Sequence, residues 1–253
     1  MDSKEIFTRL RVIIGCHIRN ITSYLLFWIV SSQSNSLAPN HKSAIVFSPH
    51  QDDETLGCGG MIALKRQLGV PIMVVFITDG RYGSLQPIQP EELINTRKLE
   101  AVAALKLLGV ESSEIYFLEQ LDGSLATLSQ EQSQNLMQQL SQILQNFIPE
   151  EVYVPHCKDF HADHEATYDL VEKAIALAGI DVQLWQYPIW LLWQNPLSFQ
   201  LKSKEIKSAY RLPIYSVRHQ KHQAIATYRS QIPGLTPGFL LRFKARYELF
   251  FKN

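Results

Sequence analysis

Strand and helix signals alternate along this chain, and the alternation predicts an α/β fold: a Rossmann-like, mostly parallel sheet with helices on both faces. Three observations carry that expectation. Short, continuously apolar runs, Ala44-Ile45-Val46-Phe47 and Val152-Tyr153-Val154-Pro155, read as strands buried on both faces. Longer segments of helical spacing lie between them, each stopped by a glycine: Met61 to Leu68 at Gly69, the helix ending at Leu108 at Gly109, and Glu165 to Ala178 at Gly179. Finally, 253 residues with 46% hydrophobic content suffice for one large domain, to which an N-terminal amphipathic helix and a small C-terminal extension are attached.

The N-terminal helix is read from Ile6, Leu10, Ile13, Ile14, Ile21, Leu25 and Trp28, with Arg9, Arg11, Arg19 and Asn20 around them. Its unbroken apolar run, Tyr24 to Val30, is far short of the roughly twenty positions a bilayer span needs. Arg19 and Asn20 also break a secretory h-region. Two readings stay open: a peripheral membrane contact through residues 1–31, or packing on the domain or on a second subunit. The first 42 residues are thus helix plus a polar Ser/Asn/Gln-rich linker, and residues 43–253 are the main domain. Within it, Pro71 to Thr78 is the second strand, and residues 81–89 form a loop. Pro90-Glu91-Glu92 opens the next helix with proline first and acids in the first turn. Glu114 to Leu118 is the third strand. Ser129 with Gln132 makes a capping box for a Gln-rich helix carrying Leu136, Leu140 and Leu144. Val182 to Tyr187 is a further strand, leading into Trp190 and Trp193, and Trp185, Trp190 and Trp193 suit core packing, a sugar face or a membrane interface. Ser216 to Tyr228 reads as a basic helix. Phe239 to Phe251 is an apolar segment with interleaved cations that closes the fold or meets lipid.

Twenty-four Lys/Arg balance twenty-four Asp/Glu, which argues against a nucleic-acid binder. The distribution is uneven. Residues 1–42 hold five basic and two acidic residues, residues 43–199 eight and twenty, and residues 200–253 eleven and two. Basic ends on an acidic body fit an anionic partner such as a lipid surface, or simply solvated ends. Cys16, Cys58 and Cys157 make no disulfide framework, so a reducing, cytoplasmic location is expected, with or without contact to the cytoplasmic membrane face.

Chemistry-bearing residues concentrate in two stretches. Ser48 to Gly60, S-P-H-Q-D-D-E-T-L-G-C-G-G, follows the first strand. His50 and Asp53 offer nitrogen and oxygen ligands there, while Asp52 keeps a carboxylate free for proton transfer, as a catalytic zinc site requires. Alone, the stretch is equally a solvated acidic turn that caps the next helix. His156 to Ala166, H-C-K-D-F-H-A-D-H-E-A, follows a second strand, with His161 and His164 three apart and Asp163 between them. Strand ends of an open α/β sheet converge at its carboxyl edge. His50, Asp53 and His164 can therefore meet at one metal with His161 beside it. Cys157 and His161 imitate a ligand pair, but His and Asp donors suffice without a thiolate. Gly57-Cys58-Gly59-Gly60 lacks the G-x-G-x-x-G spacing of a nucleotide site.

Together these clusters resemble the LmbE/PIG-L family of zinc-dependent N-deacetylases, which carries P-H-P-D-D-E after its first strand and H-P-D-H later. The counterparts are Pro49-His50-Gln51-Asp52-Asp53-Glu54 and His161-Ala162-Asp163-His164. Thr78-Asp79-Gly80, the R-x-x-E of Arg97 and Glu100, Lys221-x-x-Ala224 and Ser230-Gln231 extend the likeness over residues 43 to 250. Gln51 and Ala162 stand where the family has proline, which touches loop rigidity and leaves the ligands intact. The resemblance implies hydrolysis of an N-acetyl group on an amino sugar conjugate of the N-acetylglucosamine type. It implies Zn2+, or another divalent metal, on His50, Asp53 and His164, with Asp52 as base and later acid. His161 would stabilise the oxyanion and Asp163 orient it. Arg97 is expected to meet a phosphate or carboxylate of the substrate, against the plainer alternative of an ion pair with Glu100 or Glu92. Asp122 is expected to bind sugar hydroxyls, Glu54 to cap a helix, and Asp79 to support His50 or Asp52 from behind. An amidase for a non-sugar amide or thiol conjugate, a metal-free scaffold and a nucleotide-binding module are the alternatives. Loops 81–89 and 188–200 are expected to select the substrate, and an oligomer stays open.

Overall fold

A computed structural model describes residues 3–84, 87–193 and 201–252, without the side chains of residues 3–13, 203 and 204. The side chains of Ile6, Leu10 and Ile13, and positions 85–86 and 194–200 of the two loops, therefore lie outside the described residues. The chain begins with α1 (Ser3–Gln33) and a two-residue strand β1 (Asn35–Ser36). Alternation follows: β2 (Ala44–Ser48), α2 (Asp53–Gln67), β3 (Ile72–Thr78), α3 (Pro90–Leu107), β4 (Ile115–Gln120), α4 (Gln130–Phe147). It continues with β5 (Glu151–Pro155), α5 (Ala162–Ala178) and β6 (Gln183–Tyr187). The C-terminal part is α6 (Ser203–Lys207), β7 (Ala209–Pro213), α7 (Arg218–Ile225), α8 (Pro237–Phe243) and β8 (Tyr247–Lys252).

Among the described residues, eight strands share one sheet in the order β1-β7-β8-β6-β5-β2-β3-β4. The five strands from β6 to β4 are parallel, and β8 runs antiparallel to both β6 and β7. The expected mostly parallel α/β sheet is the fold. Alternate residues of the central strands enter opposite cores. Ala44 and Val46 of β2 pack with α2, α3 and α7, whereas Ile45 and Phe47 pack with α4 and α5. Chain order reverses between β2 and β5, so the carboxyl ends of these two strands flank the crevice where such sheets hold ligands.

Four details differ from the sequence expectation. α2 starts at Asp53, not Met61, so the glycine run lies inside it. The polar stretch 31–43 is only partly irregular, since α1 runs to Gln33 and Asn35–Ser36 pair with Tyr210–Arg211. The segment from Phe239 to Phe251 is not one unit but α8 followed by a buried strand, β8. Finally, β7 carries no apolar run and was not anticipated.

Candidate active site

Two strand ends build the site. After β2, Pro49 carbonyl oxygen accepts from Thr78 N (3.0 Å) and Thr78 Oγ1 (2.7 Å), which locks the turn to the end of β3. Gln51 Nε2 donates to Thr78 O (2.8 Å), and Arg97 reaches in from α3 to Gln51 O (2.8 Å) and Gly80 O (3.0 Å). These clamps hold Asp52 at φ 146°, a conformation unusual for a residue with a side chain. His161 is the cap residue before α5, whose first turn carries Asp163 and His164.

Three imidazoles pack together: ring centroids lie 4.9 Å apart for His50 and His161, 4.6 Å for His161 and His164, and 5.3 Å for His50 and His164. Asp53 stands between two of them, its Oδ2 3.1 Å from His50 Nδ1 and 3.2 Å from His164 Nε2. His50 Nε2 faces Asp122 Oδ1 (3.2 Å) and Asp163 Oδ2 (3.3 Å). Behind His164, Nδ1 lies 2.7 Å from Asp159 Oδ2. Burial alone would depress His164, but Asp53 and Asp159 outweigh it and lift the ring to about 9. His50 is likewise raised against burial by Asp122, Asp163 and Asp53. Asp53 is held well below the usual carboxylate range: burial works against this, and His164 and His50 prevail. Asp122 falls to about 2 because His50 outweighs its burial. Asp52 goes the other way, to about 7, through burial and the adjacent Asp53 charge. Burial and the neighbouring His164 and His50 push His161 down to about 4. The cluster opens into a cleft of about 420 Å³, lined by His50, Asp52, Asp53, Tyr82, Arg97, Asp122, His161, Trp190 and Gln231 among others.

The sequence matches the profile of the PIG-L family, GlcNAc-PI de-N-acetylase, over residues 45–175, just over half of the chain. The chain belongs to the PIG-L family. Members are deacetylases, a class of hydrolases, and metal dependence is typical of them. An uncharacterised deacetylase of Escherichia coli K12, YaiS, is 30% identical over 146 residues, covering 55% of this chain and 71% of the relative. A probable N-acetyl-α-D-glucosaminyl L-malate deacetylase of Bacillus subtilis 168 is 27% identical over 146 residues, covering 52% and 59%. A solved structure of a conserved protein from Thermus thermophilus superposes with a TM-score of 0.65 at 25% identity, over 83% of this chain and 94% of that one.

Within this PIG-L site, the donor chemistry fits a divalent cation. Two imidazoles and a carboxylate converge, and among the described residues His164 Nε2 is buried without a hydrogen bond even though Asp53 is near. His50, His161 and His164 have nitrogen atoms mutually within 4.8 Å, as do ligand atoms of His50, Asp122 and Asp163. A cation there would replace the positive charge that the carboxylates now draw onto His50 and His164. Several expected roles change. Asp163 does not hold His161: its oxygens accept from Gly123 N (2.8 Å) and Leu125 N (3.0 Å) and face His50, while His161 Nδ1 is buried with no partner among the described residues. Asp122 meets His50 as well as lining the cleft, and takes Tyr82 N (2.9 Å). Arg97 lines the cleft and is not the surface ion pair with Glu100 or Glu92, the plainer alternative to a substrate contact. It is 2% exposed and lies 3.4 Å from Asp52 Oδ1, while Glu100 accepts from Ser230 N and Oγ instead. Asp79 supports neither His50 nor Asp52 but binds Arg81 and Asp122 N. Glu54 accepts from Asp52 N, Thr55 and Tyr228. Trp185 is core, and Trp190 packs on Phe239 at the cleft wall. Asp159 escaped the sequence reading. Its one signal is an acid five residues before a candidate ligand.

Proposed function

We propose that this chain removes an N-acetyl group from an amino sugar conjugate of the N-acetylglucosamine type, with Zn2+ as its metal. The observation that carries the reading is Asp52: a carboxylate beside the His50, Asp53 and His164 donors, outside their contacts, and open to the cleft. His50, Asp53 and His164 would hold the metal, which supplies a Lewis acid that acidifies water and polarises the acyl carbonyl. Asp52 takes the proton of the attacking water and returns it to the leaving nitrogen as the C–N bond breaks, releasing acetate and a free amine. Arg97 keeps the Asp52 carboxylate facing the cleft. His161 donates an N–H to the oxyanion of the tetrahedral intermediate. Trp190 offers a face for a sugar ring, and the cleft volume suits a monosaccharide headgroup. The sugar class is supported by the family's description and by the name of the Bacillus relative.

Metal analysis of the purified chain, paired with acetate release from free, nucleotide-linked, polyol-linked and lipid-linked N-acetylglucosamine, tests this. Near-stoichiometric zinc and turnover of at least one conjugate are expected. Asp52→Asn should keep the metal and lose about 10²–10⁴-fold in kcat, whereas Asp53→Ala and His164→Ala should lose the metal itself. A fully active Asp52→Asn would reject the assignment of the base.

A further inference from the structure

The C-terminal half of α1 is apolar on two sides. One side is covered: Val30 is buried, and Leu26 and Phe27 pack with Leu191, Leu249 and Phe251. The other side is open. Ile14, Ile18, Ile21, Leu25 and Trp28 recur at helical spacing along one face, and all are between 46% and 63% exposed. Scattered exposed apolar side chains are ordinary, but five in line form a patch that something should cover. Beside the Trp28 end runs a groove of about 470 Å³ between α1 and the C-terminal elements. Tyr24, Phe27 and Trp28 form one wall, Arg218, Lys244 and Arg246 the other, and among the described residues no acid lines it.

We propose that this face docks on an anionic lipid bilayer, the stripe lying at the acyl–headgroup boundary and the three cations on lipid phosphates. Charge complementarity selects this occupant. Residues 200–253 carry eleven basic residues against two acids, and the groove gathers three of the eleven directly beside the apolar stripe. Trp28 and Tyr24 have the amphipathic rings that favour the headgroup level. A two-fold partner copy would bring the same patch of Arg218, Lys244 and Arg246 close to itself, where like charges repel. Among the described residues no helix is long and apolar enough to cross a membrane, so the contact is peripheral. The docked helix also adjoins the cleft. Asn20 Oδ1 lies 3.5 Å from Thr236 Oγ1, next to Gly234 and Leu235 at the cleft rim. The inference does not depend on which amide the site hydrolyses.

Co-sedimentation of the full chain with vesicles tests it. The vesicles are phosphatidylcholine alone, or phosphatidylcholine with one third phosphatidylglycerol, each at low and high salt. Binding to the anionic vesicles is expected, weakened by salt and much weaker on neutral ones. Each basic residue contributes about fivefold, so the R218Q/K244Q/R246Q variant should bind about a hundredfold more weakly. I21S/L25S/W28S should lose binding while its circular dichroism and metal content stay those of the parent. No binding of the full chain to anionic vesicles would overturn the inference, as would equal binding by both variants. A dimer in sedimentation that I21S/L25S/W28S dissolves, without vesicle binding, would assign the face to a second copy instead.

Discussion

Asp159 shows how much of the site rests on one side chain that never reaches the cleft. Fully buried, its carboxylate accepts from the N–H groups of Ile189 (3.0 Å), Trp190 (3.0 Å) and Leu191 (2.9 Å) while it meets His164 Nδ1. A proton on Nδ1 frees the Nε2 lone pair for a metal, so the acid fixes both the tautomer and the ring. The same oxygens hold the loop that carries Trp190 into the cleft. Asp159→Asn keeps the size but replaces one acceptor oxygen with a donor, so four donors can no longer be met. Metal affinity, measured by chelator competition, should fall about 10–100-fold. Stability in urea should fall by about 1–3 kcal/mol through the unmatched buried amides. Unchanged metal affinity would mean that packing alone orients His164. His50, Asp52, Asp53, His161 and His164 were legible because each sits in a short motif after an apolar run. Asp159 was not, since its amide partners lie some thirty residues on and no local pattern encodes them. For the same reason the expected service of Asp163 to His161 proved wrong: the loop amides of Gly123 and Leu125 claim it.

Helix α2 illustrates tertiary override of local preference. Gly57, Gly59 and Gly60 read as a turn because glycine costs a helix about 1 kcal/mol per position. They lie inside the helix all the same, and at two of them glycine is required by space: a Cβ on Gly57 would strike Tyr187, and one on Gly60 would strike Ile214 and Glu248. That closeness admits a buried ion pair. Lys221 Nζ donates to Glu248 Oε1 (2.6 Å) and to Leu56 O (2.7 Å), and Glu248 accepts the N–H groups of Gly60 and Met61. The run is thus the seat of a structural pair that ties β8 and α7 to the helix bearing Asp53, and no phosphate loop. Removing one partner strands a buried charge. Glu248→Gln should therefore cost about 3–5 kcal/mol in urea unfolding, and Lys221→Met a similar amount. The double variant should cost less than the sum, because neither charge is then left alone. Additive losses would argue that the two residues act separately.

Across the whole molecule, two kinds of sheet meet at one seam. The centre of the parallel half was readable in the sequence because β2, β3 and β5 are buried along almost their whole length and appear as apolar runs. The antiparallel end was not, because β8 carries a buried glutamate and β7 an arginine that break such runs. Among the described residues, the seam between β6 and β8 pairs Trp185 with Lys252 and Gln186 with Phe251. His156, just beyond β5, braces it from the parallel side, its ring edge-on to Phe251 at 4.8 Å, with Nδ1 accepting Lys158 N. Burial pushes this imidazole down to about 4, against the pull of Asp159 and Glu205. Its ordinary value is 6.5, so below that pH the unfolded chain takes up a proton that the folded chain refuses. The stability His156 supports is thus complete above 6.5 and drains away as pH falls toward 4. At about 1.4 kcal/mol per pH unit, the loss approaches roughly 3 kcal/mol. His156→Gln keeps an acceptor for Lys158 N and cannot titrate, so it should flatten the fall in stability between neutral pH and pH near 4.5. Urea titrations of both proteins across that range measure the difference, and parallel curves would show that the acid sensitivity of the seam comes from its carboxylates rather than from this histidine.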